Sequence, residues 1–288
     1  MKKWGFFLCI MLLPLLVVAC TAPFTQQKNE ENIHEDERHG ETFNSTKKIT
    51  ISENEIYHGY LLLVNKEYPV RSESVMSNIV RLVEHPELVN GYGLQDSSIR
   101  LPKDIARKFS TMIDAAARDD LTHFIINSGF RGKEEQNKLY HEMGASLALP
   151  AGYSEHNLGL SLDVGSTQMK MDRAPEGKWL QKNAWKYGFI LRYPKDKKAI
   201  TGIDYEPWHI RYVGWPHSAL MHEENMTLEE YLAYLKDQKS LSTVIEGKKY
   251  HISYYPIKKP IKIQVPASQV YEISGNNMDG VIVTMTNK

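Results

Sequence analysis

The sequence predicts a mixed α and β domain that ends in a small all-β appendage. Two observations predict the domain. β-Branched or alternating runs, such as Phe124-Ile125-Ile126 and Gly159-Leu160-Ser161-Leu162-Asp163-Val164, mark strands. Between them lie stretches of helical spacing, of which Ile105, Phe109, Met112, Ile113 and Ala116 form the clearest. A third observation predicts the appendage. From Ser242 the chain holds only strand-like pieces, at 250–255, 261–265, 270–273 and 280–285, with a turn at 275–280.

The N-terminal end carries its own signals. Basic Lys2-Lys3 is followed by an apolar run over residues 4–19, interrupted by Gly5 and Pro14. This is the pattern of a secretory signal, too short for a comfortable membrane span. The run closes Val17-Val18-Ala19-Cys20, which resembles a bacterial lipobox. Residues 1–19 are therefore expected to be a lipoprotein signal peptide, with Cys20 the lipidated first residue of the mature chain. The plainer reading is an ordinary signal peptide that happens to contain Cys20. The second of the two cysteines, Cys9, lies inside the signal, so the mature chain has no internal disulfide. A cysteine nucleophile and a Cys-ligated zinc are excluded with it. The net formal charge of zero gives no reason to expect a nucleic acid partner. Residues 20–48 are polar and lack apolar periodicity, as in a flexible tether.

The folded elements then follow in order. Ile49-Thr50-Ile51 and Tyr60-Leu61-Leu62-Leu63-Val64 read as short strands, and Asn65-Lys66 turns the chain. Met76, Ile79, Val80, Leu82 and Val83 have helical spacing, and Ser98-Ile99-Arg100-Leu101 is extended. Pro102 stands one place before the long amphipathic helix, where proline is favoured. The strand at Phe124 runs through Asn127-Ser128-Gly129-Phe130-Arg131 into a helix that starts near Lys133 and carries Gln136. A glycine-containing turn between strand and helix is a common place to present a functional side chain. Arg131 sits there, a cation where the helix dipole disfavours one. Trp179, Leu180, Ala184 and Trp185 fit a helix stopped by Gly188, followed by the strand Phe189-Ile190-Leu191-Arg192-Tyr193-Pro194 and a charged turn at 195–198. Residues 207–213 read as a strand with Trp208, Ile210 and Tyr212 on one face and His209 and Arg211 on the other. Helical patterns at 217–224 and 228–235 close a main domain bounded at 49–238, and 239–288 form the appendage.

The chemistry concentrates in two stretches. Ser154-Glu155-His156-Asn157-Leu158-Gly159-Leu160-Ser161-Leu162-Asp163 offers an imidazole and a carboxylate seven positions apart. Leu160, Leu162 and Val164 share one strand face, Ser161 and Asp163 share the other, and His156 lies in the turn that feeds the strand. Tyr205-Glu206-Pro207-Trp208-His209 adds a second imidazole, with a carboxylate three places before it. Two imidazoles and a carboxylate can hold zinc and leave a coordination position open. Zinc so held lowers the pKa of bound water to about 7 and polarises a carbonyl. Glu206 would take the water proton and pass it to the leaving amine. Arg131 could hold a substrate carboxylate in a bidentate fork. Each spacing is weak alone: isolated histidines are commonly core residues, and Glu-x-x-His here lies on a strand, outside the helical HExxH pattern.

Their combination is specific. S-G-F-R-x4-Q at 128–136, S-x-H-x2-G-x3-D at 154–163 and E-P-W-H-x-R-Y-V-G at 206–214 occur complete and in that order. In this the chain closely resembles the VanY-type D-alanyl-D-alanine carboxypeptidases, a metallopeptidase family that includes LdcB-type L,D-carboxypeptidases and VanX-type dipeptidases. The resemblance covers residues 61–235. It implies an α+β fold with a small central antiparallel sheet flanked by helices, and one zinc ion held by His156, Asp163 and His209. It implies that Glu206 is the catalytic base, with Arg131 beside it. It implies that Arg131, Gln136, Ser154 and Tyr193 lie along the substrate's terminal carboxylate and last peptide unit. Ser161 stands where the family usually has alanine, and Trp208 is expected to pack and fix the Glu206–His209 geometry.

The implied reaction releases the C-terminal D-alanine from peptidoglycan stem peptides or their lipid-linked precursors. In glycopeptide-challenged bacteria such trimming removes the antibiotic's target. With the expected lipid anchor, the enzyme would sit as a monomer on the outer face of the cytoplasmic membrane, concentrated near nascent wall. Two rivals stand beside this reading. One is L,D-carboxypeptidase action on tetrapeptide stems. The other, from a different class, is a non-catalytic cell-wall-binding lipoprotein, against which the intact Glu206 and ligand set count.

Overall fold

The computed structural model describes residues 45–144 and 149–288. The expected signal, Cys20 and most of the tether lie outside the described residues. The chain enters through β1 (Thr46–Ile51), so the last three residues assigned to the tether are strand. Their alternation is masked by Lys47 and Lys48, and only Ile49 and Ile51 turn inward. Next come β2 (Ile79–Arg81), β3 (Gly93–Leu94) and β4 (Arg100–Pro102). They lead to α1 (Lys103–Ala117), β5 (Phe124–Ser128), α2 (Lys133–Met143) and β6 (Ser161–Ser166). Then follow α3 (Pro175–Asn183), β7 (Phe189–Leu191), a short α4 (Lys198–Thr201) and β8 (His209–Tyr212). Helices α5 (His217–Glu223) and α6 (Leu228–Gln238) complete the part built around the motifs.

Five strands form the central sheet in the order β3-β5-β6-β8-β7. All neighbours are antiparallel except β3 with β5, a parallel pair at one edge. Helix α1 lays Ile105, Phe109, Met112, Ile113 and Ala116 against this sheet, all fully buried with Leu162 and Val164 of β6 and Leu160 just before it. Burial of such side chains is worth about 1.5–3 kcal/mol each, so this layer holds the sheet that carries the motifs.

The C-terminal region is β9 (Ser240–Ile245), β10 (Lys248–Pro256), β11 (Ile261–Pro266), β12 (Gln269–Gly275) and β13 (Gly280–Asn287). β9 begins before the composition changes at Ser242, which is why its first residues escape a reading by composition. Four of these strands make an antiparallel sheet in the order β12-β13-β10-β9, and β11 pairs instead with β1. The region has no separate core. Ile252, Tyr254 and Ile282 share one apolar cluster with Leu61, Leu63, Val213, Leu228, Tyr231 and Leu232. A second cluster joins Ile49, Ile51 and Ile56 to Val265, Val281 and Val283. The described residues belong to one compact unit, Asn44–Lys288.

Two expected elements differ. The run at 60–64 joins no ladder, although 61–64 are buried. Its backbone groups bond elsewhere: Leu61 N donates to Ser274 Oγ (2.8 Å) and Leu63 N to Asn276 O (3.2 Å). Arg211 Nη2 donates to the carbonyls of Tyr60 (3.0 Å) and Leu62 (2.8 Å), and Asn277 Nδ2 to that of Leu63 (2.8 Å). Nor is the segment from Met76 to Val83 helical. β-Branched Ile79 and Val80 pair with β4, and a single 3-10 turn at Leu82–Glu84 follows, so a bend imitates helical periodicity.

Candidate metal centre

The motifs meet because three neighbouring strands bring them together. Register pairs Asp163 of β6 with Ser128 of β5 on one side and with His209 of β8 on the other. His156 arrives in a 3-10 turn, Glu155–Asn157, whose start is capped by Ser154 Oγ accepting from His156 N (3.4 Å). Gly159, at φ +87°, then reverses the chain into β6, passing so close to Pro102 that a Cβ would lie 3.0 Å from its ring. The Arg131 loop is stitched to the same turn. Arg131 N donates to His156 O (3.1 Å), and Asn157 Nδ2 donates to Arg131 O (2.7 Å).

His156, Asp163 and His209 each offer a ligand atom, all within 4.8 Å of one another. His156 Nδ1 donates to Gly129 O (2.6 Å), which leaves the lone pair on Nε2. That nitrogen is buried, has no hydrogen-bond partner among the described residues and lies 3.2 Å from Asp163 Oδ2. Two acceptors facing each other in a buried site call for a cation between them. On His209, Nδ1 lies 3.1 Å from Asp163 Oδ1 and Nε2 3.4 Å from Glu155 Oε2. With Nε2–H given to Glu155, Nδ1 turns its own lone pair to the same point. The donor set is thus two imidazole nitrogens and a carboxylate, each oriented from behind, as transition-metal sites require.

Electrostatics follow the same division. Burial pushes His156 down, and Asp163 only partly offsets it. With no cation beside it, burial also pushes His209 down, but its bonds to Asp163 and Glu155 win and lift it to about 9, so a metal there takes the place of the Nδ1 proton. The two imidazoles differ because His209 bonds two carboxylates and lies near a third, Glu206, whereas His156 faces one. For Asp163, burial raises the pKa, and the two imidazoles outweigh it and hold the group well below the usual carboxylate range. Burial raises Glu206, the carboxylate 3.7 Å from His209 Nδ1, above its ordinary value. A carboxylate so raised is better matched to receive and return a proton. Its place is fixed by Glu206 N donating to Tyr193 O (3.1 Å).

The expected substrate contacts divide. Arg131 Nη1 lies 4.0 Å from Asp163 Oδ2, its Nη2 donates to Ser154 Oγ (3.4 Å), and its buried Nε has no partner among the described residues. The guanidinium therefore keeps donor capacity beside the ligands. The Tyr193 ring lies 4.9 Å from that of His209, and burial raises its phenol, so it stays a protonated donor. Gln136, 1% exposed, donates through Nε2 to Leu149 O (2.6 Å), and its Oε1 has no partner among the described residues. Trp208 departs from expectation. It is 40% exposed and lines a cavity, so it does not pack to fix Glu206 and His209. It sits in the turn before β8, outside the strand whose Ile210 and Tyr212 are buried.

Sequence reading missed the support behind His209. Glu155 is fully buried, and its Oε1 accepts from Arg192 Nε (2.8 Å) and Arg211 Nη1 (2.7 Å). Its Oε2 accepts from Ser161 Oγ (3.0 Å), which is the use this chain makes of the serine found where alanine is usual. Arg192 also grips Glu229 in a bidentate pair at 2.9 and 2.7 Å. Burial alone would raise Glu155, and Arg211 with Arg192 holds it well below the usual range. The available signal was a charge on an inward strand position: Arg211 shares the face of His209.

A family model for VanY, D-alanyl-D-alanine carboxypeptidase, matches residues 98–215. A D-alanyl-D-alanine carboxypeptidase of Enterococcus faecium is 56% identical over 292 residues, covering 99% of this chain and 96% of the relative. The chain belongs to the VanY family. A bifunctional D-Ala-D-Ala dipeptidase and carboxypeptidase, VanXYC of Enterococcus gallinarum, is 35% identical over 61% of the chain and 94% of its own length. The solved structure of the D,D-dipeptidase VanXYg with a D-Ala-D-Ala phosphinate analogue matches with a TM-score of 0.74 at 32% identity, over 84% of this chain and 100% of that one. A mutant VanY from the VanB-type cassette, in complex with Zn(II), matches with a TM-score of 0.50 at 29% identity, over 60% and 98%. In this VanY-family chain the cofactor is zinc, and the buried His156–Asp163–His209 group is the site whose donors fit it.

Proposed function

We propose that this VanY-family enzyme is a zinc D,D-carboxypeptidase that removes the C-terminal D-alanine from peptidoglycan stem peptides ending in D-Ala-D-Ala. The observation that carries the reading is a buried two-histidine, one-aspartate group with Glu206 against His209 and Arg131 against Asp163. Zinc held there supplies a Lewis acid for the scissile carbonyl and acidifies water. Arg131 binds the substrate's terminal carboxylate and so sets which bond lies over the ligands. Glu206 accepts the proton of the attacking water and delivers it to the amine of the departing D-alanine. Tyr193, protonated beside His209, donates towards the reacting carbonyl oxygen as charge develops on it.

The LdcB L,D-carboxypeptidase also shares the fold, with a TM-score of 0.51 over 59% of the chain. Similarity to the Enterococcus faecium D-alanyl-D-alanine carboxypeptidase runs over 99% of it at 56% identity, which favours the D,D reading. The zinc-loaded protein, given pentapeptide and tetrapeptide stems with and without chelator, should release D-alanine from the pentapeptide alone and stop when chelated. Release from the tetrapeptide alone, or turnover indifferent to chelator, would sink this reading.

We further propose that the enzyme works as a monomer on the outer face of the bacterial cytoplasmic membrane, anchored by lipid on Cys20. The basic start, the apolar run over 4–19 and the small residues before Cys20 support this. A Cys20→Ser variant should leave the membrane fraction. Retention there would refute the anchor.

A further inference from the structure

Segment 60–64 pairs with no strand among the described residues, yet residues 61–64 are buried. Along an extended stretch, the backbone groups of successive residues point to opposite sides. Here the two sides meet different partners. The carbonyls of Tyr60 and Leu62 accept from Arg211 Nη2, at 3.0 and 2.8 Å. On the other side, Leu61 N donates to Ser274 Oγ (2.8 Å) and Leu63 N to Asn276 O (3.2 Å). Leu63 O accepts from Asn277 Nδ2 (2.8 Å). The segment is thus a strip between Arg211 and the corner where β12 turns into β13.

Arg211 is fully buried, and its one carboxylate partner among the described residues is Glu155 (2.7 Å). Its Nε donates to Tyr212 O (3.1 Å), and the two strip carbonyls take Nη2. Glu155 is therefore held by two arms. One is Arg192, anchored by Glu229 in the first turn of α6. The other is Arg211, anchored by the strip, which the C-terminal corner anchors in turn. Glu155 Oε2 lies 3.4 Å from His209 Nε2, while His209 Nδ1 faces Asp163.

The corner is built to keep its shape. Asn276 is fully buried, and its Oδ1 accepts from the N–H groups of Met278 (2.9 Å), Asp279 (3.0 Å) and Gly280 (3.0 Å). Asn277 sits at φ +62°, a region that asparagine enters more readily than most residues. Its Nδ2 also donates to Pro69 O (3.1 Å), and its N to Ile56 O (2.9 Å). Gly275 packs onto the same stretch, where a Cβ would lie 2.0 Å from Ile56 O.

We propose that the corner Ser274–Asn277 of the C-terminal β region is a positioning element of the metal centre, acting through segment 60–64, Arg211 and Glu155 to fix His209. The proposal rests on the zinc site of the reading above and on no choice of substrate. Ser274 and Asn277 are positioning residues and bond none of the three ligands. A buried guanidinium follows its acceptors, because losing them leaves its donors unpaired. A strip that moves takes Arg211 with it, loosens Glu155 and frees the ring of His209 to turn from the orientation metal binding needs.

The test reads zinc affinity by chelator competition, in buffer where circular dichroism shows each variant folded, and stability by urea unfolding. Ser274→Ala removes the acceptor of Leu61 N. Asn277→Gly keeps the backbone angle accessible and removes the amide. Val265→Ala, in the apolar cluster around Ile49 and Ile51, lowers stability away from the strip. Asn277→Gly should weaken zinc binding about tenfold and Ser274→Ala about threefold, modest losses because the Arg192 arm remains. Val265→Ala should bind zinc as wild type does. In a Glu155→Gln background the path is already cut, so Asn277→Gly should change zinc affinity by less than about twofold. Wild-type affinity in both corner variants would overturn the proposal, as would equal weakening by Val265→Ala or an undiminished loss in the Glu155→Gln background. If Asn277→Gly does not fold, Ser274→Ala decides by the same comparisons. Zinc affinity is read without substrate. A protein that follows this pattern but frees no D-alanine from a pentapeptide therefore defeats the carboxypeptidase reading and leaves the positioning role standing.

Discussion

Two clusters of buried charge meet at His209 and are completed in opposite ways. In one, Glu155 lies between Arg192 and Arg211, each carboxylate oxygen has donors, and Arg192 is gripped again by Glu229. In the other, His156 Nε2 points a lone pair at Asp163, and Arg131 Nε finds no partner among the described residues. A satisfied network fixes geometry, whereas an unsatisfied one waits for a ligand. The difference teaches how a metal site is kept ready: the rigid cluster orients His209 from behind, and the unfilled one faces the substrate.

The largest effect should come from the unfilled side. Glu206→Gln should lower kcat by about 10²–10⁴-fold while zinc content stays at one per chain, read by D-alanine release and metal analysis. Turnover near wild type would move the base elsewhere. On the satisfied side, Glu155→Ala leaves the buried Arg211 without a carboxylate and Arg192 with Glu229 alone. Urea unfolding should show a loss of about 3–5 kcal/mol. Zinc competition with a chelator should show about 10–100-fold weaker binding, because His209 loses its support. If stability falls and zinc affinity does not, the two clusters are independent.

A third buried group sharpens the contrast because its partners are neutral. His217 bonds Tyr231 Oη (2.8 Å) and Thr284 Oγ1 (3.0 Å), linking α5 to α6 and β13, and burial pushes it down to about 3. In the unfolded chain it titrates near 6.5. Above that value neither state binds its proton, and the full stability is present. As pH falls from there towards 3, the unfolded state takes a proton that the folded state refuses. Stability should therefore drop, on the order of 2 kcal/mol between pH 7 and 5. A His217→Gln variant should show a flatter dependence in the same melts, and an unchanged slope would assign it to other groups. The smallest effect belongs to a solvated pair. Lys198 and Asp204 meet at 2.7 Å with side chains 62% and 80% exposed, so Lys198→Ala should cost less than about 1 kcal/mol.

What was legible in the sequence had short range. His156 and Asp163 lie on one turn and strand, Glu206 and His209 on one loop and strand, and alternation alone gave Asp163 the correct face. Glu155, Arg192 and Arg211 were not legible because their partners lie 37 and 56 positions away. Local patterns carry no sign of such pairing. The run at 60–64 was misread for the same reason. Its composition suits a strand, but its backbone partners are an arginine side chain and a C-terminal turn more than a hundred positions distant. Trp208 was misread because alternation does not show where a strand begins, and Trp208 lies in the turn before β8.

The pairing of β1 with β11 has a kinetic consequence. Thr46 Oγ1 donates to Gln264 Oε1 across 218 positions, and the six-residue ladder around them spans almost the whole folded chain. Ladders of such long range form late, because loop closure precedes any gain from contact. The first strand made is thus among the last to find its place. Any chain ending before Ile261 would leave Ile49 and Ile51 uncovered, with an open strand edge inviting association with other chains.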